Sequence, residues 1–299
     1  MKNLHVFIVT FVIMVFLTGC DDDFPEYIQP ARLSVDDSIA LATIWQETMQ
    51  YKTEETNKWN LEFPLRTAVD YKLEKDTINN KLIVTELTIV GDFKEGTKLS
   101  SAIFRLKDLK KLYITTDIEY SIPQEISQLT KLQHLTLMDM NDGGIYGSIP
   151  DAIVELQDLE YLKIDGENIT GELPSGLGKL QKIKYIIINN TNITGSIPLS
   201  FANFKNRIVY LDLGYNRLCG IFPSEVLGPN VIYWCWQNFF TELPFEIWRD
   251  DNNAYPPMLR YNHLSGVIPE WVKNTNKWNK YGVWSTGLQL DGYGYINYH

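Results

Sequence analysis

The side chains able to do acid–base, nucleophilic or metal chemistry are few and badly spaced for it. The 299 residues include four histidines: His5, His134, His263 and His299. A nucleophile–base pair or a metal site needs an imidazole within hydrogen-bond reach of a carboxylate, a thiol or a second imidazole. His5 lies in an apolar leader, His299 is the last residue, and His134 and His263 stand over a hundred residues apart. The carboxylate pairs Asp36-Asp37 and Asp250-Asp251 sit in polar segments, where they serve as caps or solvated charge. No G-x-S-x-G, H-E-x-x-H or G-x-x-x-x-G-K-[ST] occurs. The three cysteines, Cys20, Cys219 and Cys235, have no second Cys or His at ligand spacing. No catalysis, cofactor or metal is therefore expected.

What the chain does have is aromatic surface, with 17 tyrosines and 8 tryptophans. Tyr161, Tyr185 and Tyr210 recur at steps of 24 and 25 residues. Rings aligned in a row offer stacking area with a polar handle, the chemistry of recognition. Something must hold them at that period, and the backbone punctuation shows what. Seven prolines follow an apolar residue: Pro123, Pro150, Pro174, Pro198, Pro223, Pro244 and Pro269, at steps of 27, 24, 24, 25, 21 and 25. A period near 24 describes a solenoid of stacked units.

One unit reads Leu159, Leu162, Ile164, Ile169, Gly171, Leu173, Pro174. The next reads Ile183, Ile186, Ile188, Ile193, Gly195, Ile197, Pro198, and the one after it Ile208, Leu211, Leu213, Leu218, Gly220, Phe222, Pro223. Asparagine follows the second strand leucine at Asn216 and Asn262, and one place late at Asn168, Asn192 and Asn238. The spacing L-x-x-L-x-L-x-x-N-x-L-x-G-x-I-P resembles the leucine-rich repeat, and its ending resembles the plant-type subclass, over residues 82–272. That resemblance implies an α/β solenoid. A curved parallel sheet lines the concave side, short helical or 3-10 turns the convex side, and caps close both ends.

The period-two core puts the leucines on one side of a strand and the residues between them on the other. The outward columns read His134, Tyr161, Tyr185, Tyr210; then Tyr113, Thr136, Lys163, Ile187, Asp212, Tyr233, Met258; then Asp139, Gly166, Asn190, Tyr215, Trp236, Tyr261. Strands about 4.8 Å apart would make one row of Tyr161, Tyr185 and Tyr210, and a second of Tyr215, Trp236 and Tyr261. These residues and Tyr233 are the candidate ligand-binding set. A protein would use the rings as anchors and a polysaccharide would stack on them. A scaffold in the envelope would need neither. Protein is the first reading.

Met1-Lys2 and the apolar run Val6–Leu17 read as a secretory leader too short to span a membrane. Leu17-Thr18-Gly19-Cys20 resembles a bacterial lipobox, which implies lipidation of Cys20 and removal of residues 1–19. Several acyl chains hold a protein stably on a membrane. The acidic linker 20–30 opens with Asp21-Asp22-Asp23, which resembles the export address of Bacteroidetes surface lipoproteins, while Asp next to the cysteine also resembles an enterobacterial inner-membrane retention signal. Display at the outer membrane surface is the expectation. Residues 31–81 hold no repeat; Asp36-Asp37-Ser38 before Ile39 reads as a capped helix start, so a helical N-terminal cap is expected. Residues 273–299 carry Trp278, Tyr281, Trp284, Tyr293, Tyr295 and Tyr298 and read as an aromatic C-terminal cap with a strand, turn and return at Leu288–Tyr293.

The formal charge of −10 argues against nucleic acid and anionic membrane surfaces as ligands, leaving the lipid anchor as the membrane contact. Cys219 reads as a loop residue and Cys235 as an exposed strand residue. Their positions favour free thiols over a bridge. Asn168-Ile169-Thr170 and Asn192-Ile193-Thr194 match the glycosylation acceptor but fall in repeat loops. Pro257 occupies a strand column and cannot donate to a ladder, so that strand should be irregular or terminal.

Overall fold

The computed structural model describes residues 32–49, 67–91, 93, 97–140, 144–205, 207, 209–286 and 294–296. The leader, Cys20 and the acidic linker lie outside the described residues, as do Leu288–Tyr293 and Tyr298.

The chain enters through β1 (Arg32–Leu33) and α1 (Val35–Met49), then β2 (Thr67–Asp76) and β3 (Lys81–Gly91). The repeats follow: β4 (Lys111–Thr116), β5 (Tyr120–Ser121), β6 (His134–Asp139), β7 (Ile145–Ser148), β8 (Tyr161–Asp165), β9 (Asn168–Thr170), β10 (Tyr185–Asn189), β11 (Val209–Asp212), β12 (Cys219–Ile221), β13 (Val231–Trp234), β14 (Phe239–Glu242) and β15 (Ser265–Val267). Two helices, α2 (Glu270–Lys273) and α3 (Asn276–Thr286), and β16 (Gly294–Ile296) end it. The main sheet runs β1-β3-β4-β6-β8-β10-β11-β13, with β2 on the outer side of β3. All its repeat strands pair in parallel, one repeat against the next.

The aliphatic columns face inward. Leu112, Leu135, Leu162, Ile186 and Leu211 form one buried row, and Ile114, Leu137, Ile164, Ile188 and Leu213 the other. The apolar residue before each repeat proline closes the core from the opposite side: Ile122, Ile149, Leu173, Ile197, Phe222, Leu243 and Ile268 are all buried. The preceding glycines Gly147, Gly171, Gly195 and Gly220 have φ of +84, +84, +80 and +84, a left-handed backbone that glycine adopts without a Cβ penalty. The prolines Pro123, Pro150, Pro198, Pro223 and Pro244 stand as caps of 3-10 turns on the convex side, since proline suits a position with no obligatory N–H bond. Pro257 is buried in a leucine column, and the sheet there reduces to a single bridge, Trp234 to Met258.

The caps differ from the sequence expectation. Helix α1 begins one turn earlier than Asp36-Asp37-Ser38 suggested. Ser34 caps it, its Oγ accepting from Asp37 N at 3.1 Å. Asp37 is instead an anchor: its buried carboxylate accepts from Val84 N at 3.0 Å and ties helix to sheet. The N-terminal cap is not helical alone, because β2 forms a ten-residue antiparallel pair with β3. At the other end the aromatic tail contributes helix α3. Asp250 accepts from the amides of Asn276 and Lys277 at its start, and Trp278 meets Trp248 edge-on at 4.8 Å.

Candidate binding face

The outward residues of β6, β8, β10, β11 and β13 make the concave surface. Register pairs Tyr161 with Tyr185 and Tyr185 with Tyr210, so the first row exists as read. Ring centroids are 5.8 Å apart from His134 to Tyr161, 5.9 Å from Tyr161 to Tyr185 and 6.2 Å from Tyr185 to Tyr210. The row then continues to Trp234 at 5.5 Å and to Trp236 at 5.2 Å. Six rings in contact thus cross five strands. Tyr185 is 48% exposed, while Tyr161 and Tyr210 are half-buried. Burial pushes the phenol pKa of both Tyr161 and Tyr210 up, with Tyr113 and Asp212 respectively adding to it. Their hydroxyls stay protonated donors at neutral pH.

Two expectations fail at one place, for one reason. Tyr233 pairs with Leu211, not with Asp212, so it points inward and is 1% exposed. It packs edge-on against Phe222 at 5.3 Å, and its hydroxyl donates to Val226 O at 3.3 Å. Cys235 follows it into the core rather than lying exposed, and burial pushes its thiol pKa well up. Trp234 takes the outward position assigned to Tyr233. Cys219 is exposed, and both cysteines are free thiols.

The same one-residue shift dissolves the second row. Gln237, not Trp236, shares a column with Tyr215 and Tyr261. Asn190, Tyr215, Gln237 and Tyr261 all have positive φ, between 46 and 57. Tyr215 and Tyr261 are exposed but separated by Gln237, so they form no continuous surface.

The signal that would have fixed the register lies in the asparagines. Asn216 and Asn262 each follow a buried leucine by three residues, and Asn238 follows Cys235 by three. Asn238 is therefore in step, not late. Its Nδ2 donates to Leu213 O at 2.9 Å, to Cys235 O at 3.3 Å and to Trp236 O at 3.0 Å, while its Oδ1 accepts from Leu218 N at 2.9 Å. Asn216 and Asn262 repeat the pattern. Asn192 sits outside this ladder and bonds Glu167 O, and Thr191 takes its place, donating to Asn216 Oδ1. Asn168 is exposed.

Polar residues rim the ring track. On one side Lys184 pairs with Glu160 at 2.6 Å. On the other, Asn190 Nδ2 donates to Asp165 at 3.3 Å and Asn189 Nδ2 to Asp212 at 3.3 Å. Burial raises the Asp165 pKa, and Asp139 and Asp212 add to that, while Asn190 and Lys163 offset part of it. This half of the rim is acidic.

No protein-family model and no curated protein matches the chain. Solved structures do. A plant ice-binding protein superposes with a TM-score of 0.60 at 20% identity, covering 88% of this chain and 79% of its own. The ectodomain of the plant membrane receptor kinase GASSHO1/SCHENGEN3 from Arabidopsis thaliana, in complex with CASPARIAN STRIP INTEGRITY FACTOR 2, superposes with a TM-score of 0.51 at 20% identity over 84% of this chain. The chain spans about a third of that ectodomain, 32% of its length. At such identity the likeness speaks for the backbone plan alone. Together with the strand register and the asparagine ladder it establishes that plan: the chain folds as a leucine-rich repeat solenoid.

Proposed function

We propose that this chain is a binding protein that takes a peptide or protein ligand along its concave face, without catalysis. The observation that carries the reading is the unbroken track from His134 to Trp236, six rings lying on the outward side of strands whose inward side is buried core. A row of half-exposed rings has no role in the core, which is complete beneath it. Large aromatic side chains are the usual anchors of an interface.

The test removes the rings and leaves the core. A random 12-residue peptide phage library is panned on the full chain, and binders are re-measured on a Tyr185→Ala, Tyr210→Ala, Trp234→Ala variant. Binders should weaken at least tenfold while circular dichroism stays unchanged. A glycan array run beside it decides the second reading. Track-dependent glycans without any track-dependent peptide would replace the proposal by polysaccharide capture.

The proposal includes an address. Cys20 in Leu17-Thr18-Gly19-Cys20 is acylated, and the chain is held at the outer surface of a bacterial outer membrane. Cys20→Ser should move the protein from the membrane fraction to the soluble fraction and abolish the acyl mass increment on the N-terminal peptide. Retention in the membrane with no acylation would overturn the anchor.

A further inference from the structure

We propose that β2 pairs edge to edge, antiparallel, with β2 of a second copy of this chain, across a two-fold axis at Tyr71. Among the described residues β2 pairs with β3 alone, so its other edge, ten residues long, has no strand beside it. Such an edge presents a row of amides and carbonyls that a further strand can complete.

The backbone shows which residues face that edge. Lys72 O accepts from Thr85 Oγ1 of β3 at 3.5 Å, so Lys72 faces the sheet. Backbone direction alternates along an antiparallel strand, and Tyr71 therefore faces outward. Its amide agrees: Tyr71 N donates to the carboxylate of its neighbour Asp70 at 2.8 Å. That side chain stands where a partner strand's carbonyl would. The Tyr71 ring lies on the same side of β2 as Leu73, which packs against the core, yet it is 44% exposed. The core side of the sheet runs out to this edge and ends in water.

Charge then selects one register. A two-fold antiparallel pairing joins edge-facing residues to edge-facing residues, so the axis passes through a residue, not between two. An axis at Asp70, Lys72 or Glu74 sets that charge against itself. An axis at Leu73 sets Asp70 against Asp76. An axis at Tyr71 opposes no like charges. It places Asp70 of each copy opposite Lys72 of the other, two attractive pairs, with Tyr71 opposite Tyr71 and Val69 opposite Leu73. Charges commonly blunt an edge, but in this register they attract. Asp70 and Lys72 are both exposed. Lys72 already meets Glu86 at 3.2 Å, and its ammonium keeps further donors for a second carboxylate. Once Tyr71 N bonds the opposite strand, the Asp70 carboxylate is released to take that role.

Sedimentation equilibrium on the full chain tests this. The wild type should show a monomer–dimer equilibrium. Asp70→Lys and Lys72→Asp should each weaken dimerisation about tenfold, because both opposed pairs become like-charged. Mixing the two variants should restore it, since each new charge then meets an opposite one, while circular dichroism shows each variant folded. The Tyr185→Ala, Tyr210→Ala, Trp234→Ala variant should dimerise as the wild type does. A wild type that stays monomeric at every concentration overturns the inference, as do charge variants that dimerise like the wild type or a mixture no better than its components. Loss of the dimer in the ring variant also overturns it and moves the contact to the concave face.

Discussion

Tyr233→Ala lowers the unfolding free energy by about 3–5 kcal/mol, the cost of deleting a fully buried aromatic side chain, whereas Tyr185→Ala stays within about 0.5 kcal/mol because its ring is half in water. The two tyrosines differ by 1% against 48% exposure. Tyr233→Phe separates the terms. It keeps the edge contact with Phe222 and loses only the hydroxyl bond to Val226 O, so about 1 kcal/mol is expected. Urea titrations followed by far-UV circular dichroism read all three. A Tyr233→Ala variant as stable as Tyr185→Ala would place that strand in the other register, and Trp234 would leave the binding face with it.

Asn238→Ala is the second large effect. The side chain serves four backbone groups, the buried carbonyls of Leu213 and Cys235, the buried amide of Leu218 and the partly buried carbonyl of Trp236. Water does not reach Asn238, which is 1% exposed. An unsatisfied buried group costs about 1–3 kcal/mol, so a total of about 3 kcal/mol or more is expected. Leu213 O also accepts from Asn216 Nδ2 at 2.9 Å, so the two asparagines share a partner. A double-mutant cycle between them should therefore show coupling of about 0.5–3 kcal/mol. Hydrogen exchange should place the loss in β11 to β14, since each repeat touches only its neighbours. Uniform loss across the sheet, or additive single mutants, would refute the shared ladder.

The period-24 punctuation was enough to read the solenoid, because glycine and proline constrain the backbone wherever they stand. The row of Tyr161, Tyr185 and Tyr210 was equally legible, since three units of nearly equal length keep their strands in step. The next unit broke that legibility. It is 21 residues between prolines rather than 25, and its leucine columns hold Val231, Tyr233 and Cys235. Two of those three are residue types that also suit a surface, so hydrophobicity alone gave the wrong alternation. The asparagine three places after each second column carried the correct frame, because its geometry needs fixed backbone neighbours where a leucine needs only a void. Strand β2 escaped for another reason. Its charged residues Asp70, Lys72, Glu74 and Asp76 alternate with Val69, Tyr71 and Leu73, a period-two signal of an edge strand that goes unread because the stretch lies before the leucine spacing begins. The turn Ile78-Asn79-Asn80 before β3 was its visible trace; Asn80 has φ of 50, which asparagine tolerates.

The contact between Tyr210 and the stacked pair Trp234–Trp236 has an optical consequence. Light absorbed by any tyrosine of the row passes down to the indoles at its end, so the track is its own antenna. Occupancy of the track then registers as altered tryptophan emission on tyrosine excitation, and the Trp234→Phe protein, dimmed at that one terminus, is the blank against which the remaining tryptophans are subtracted.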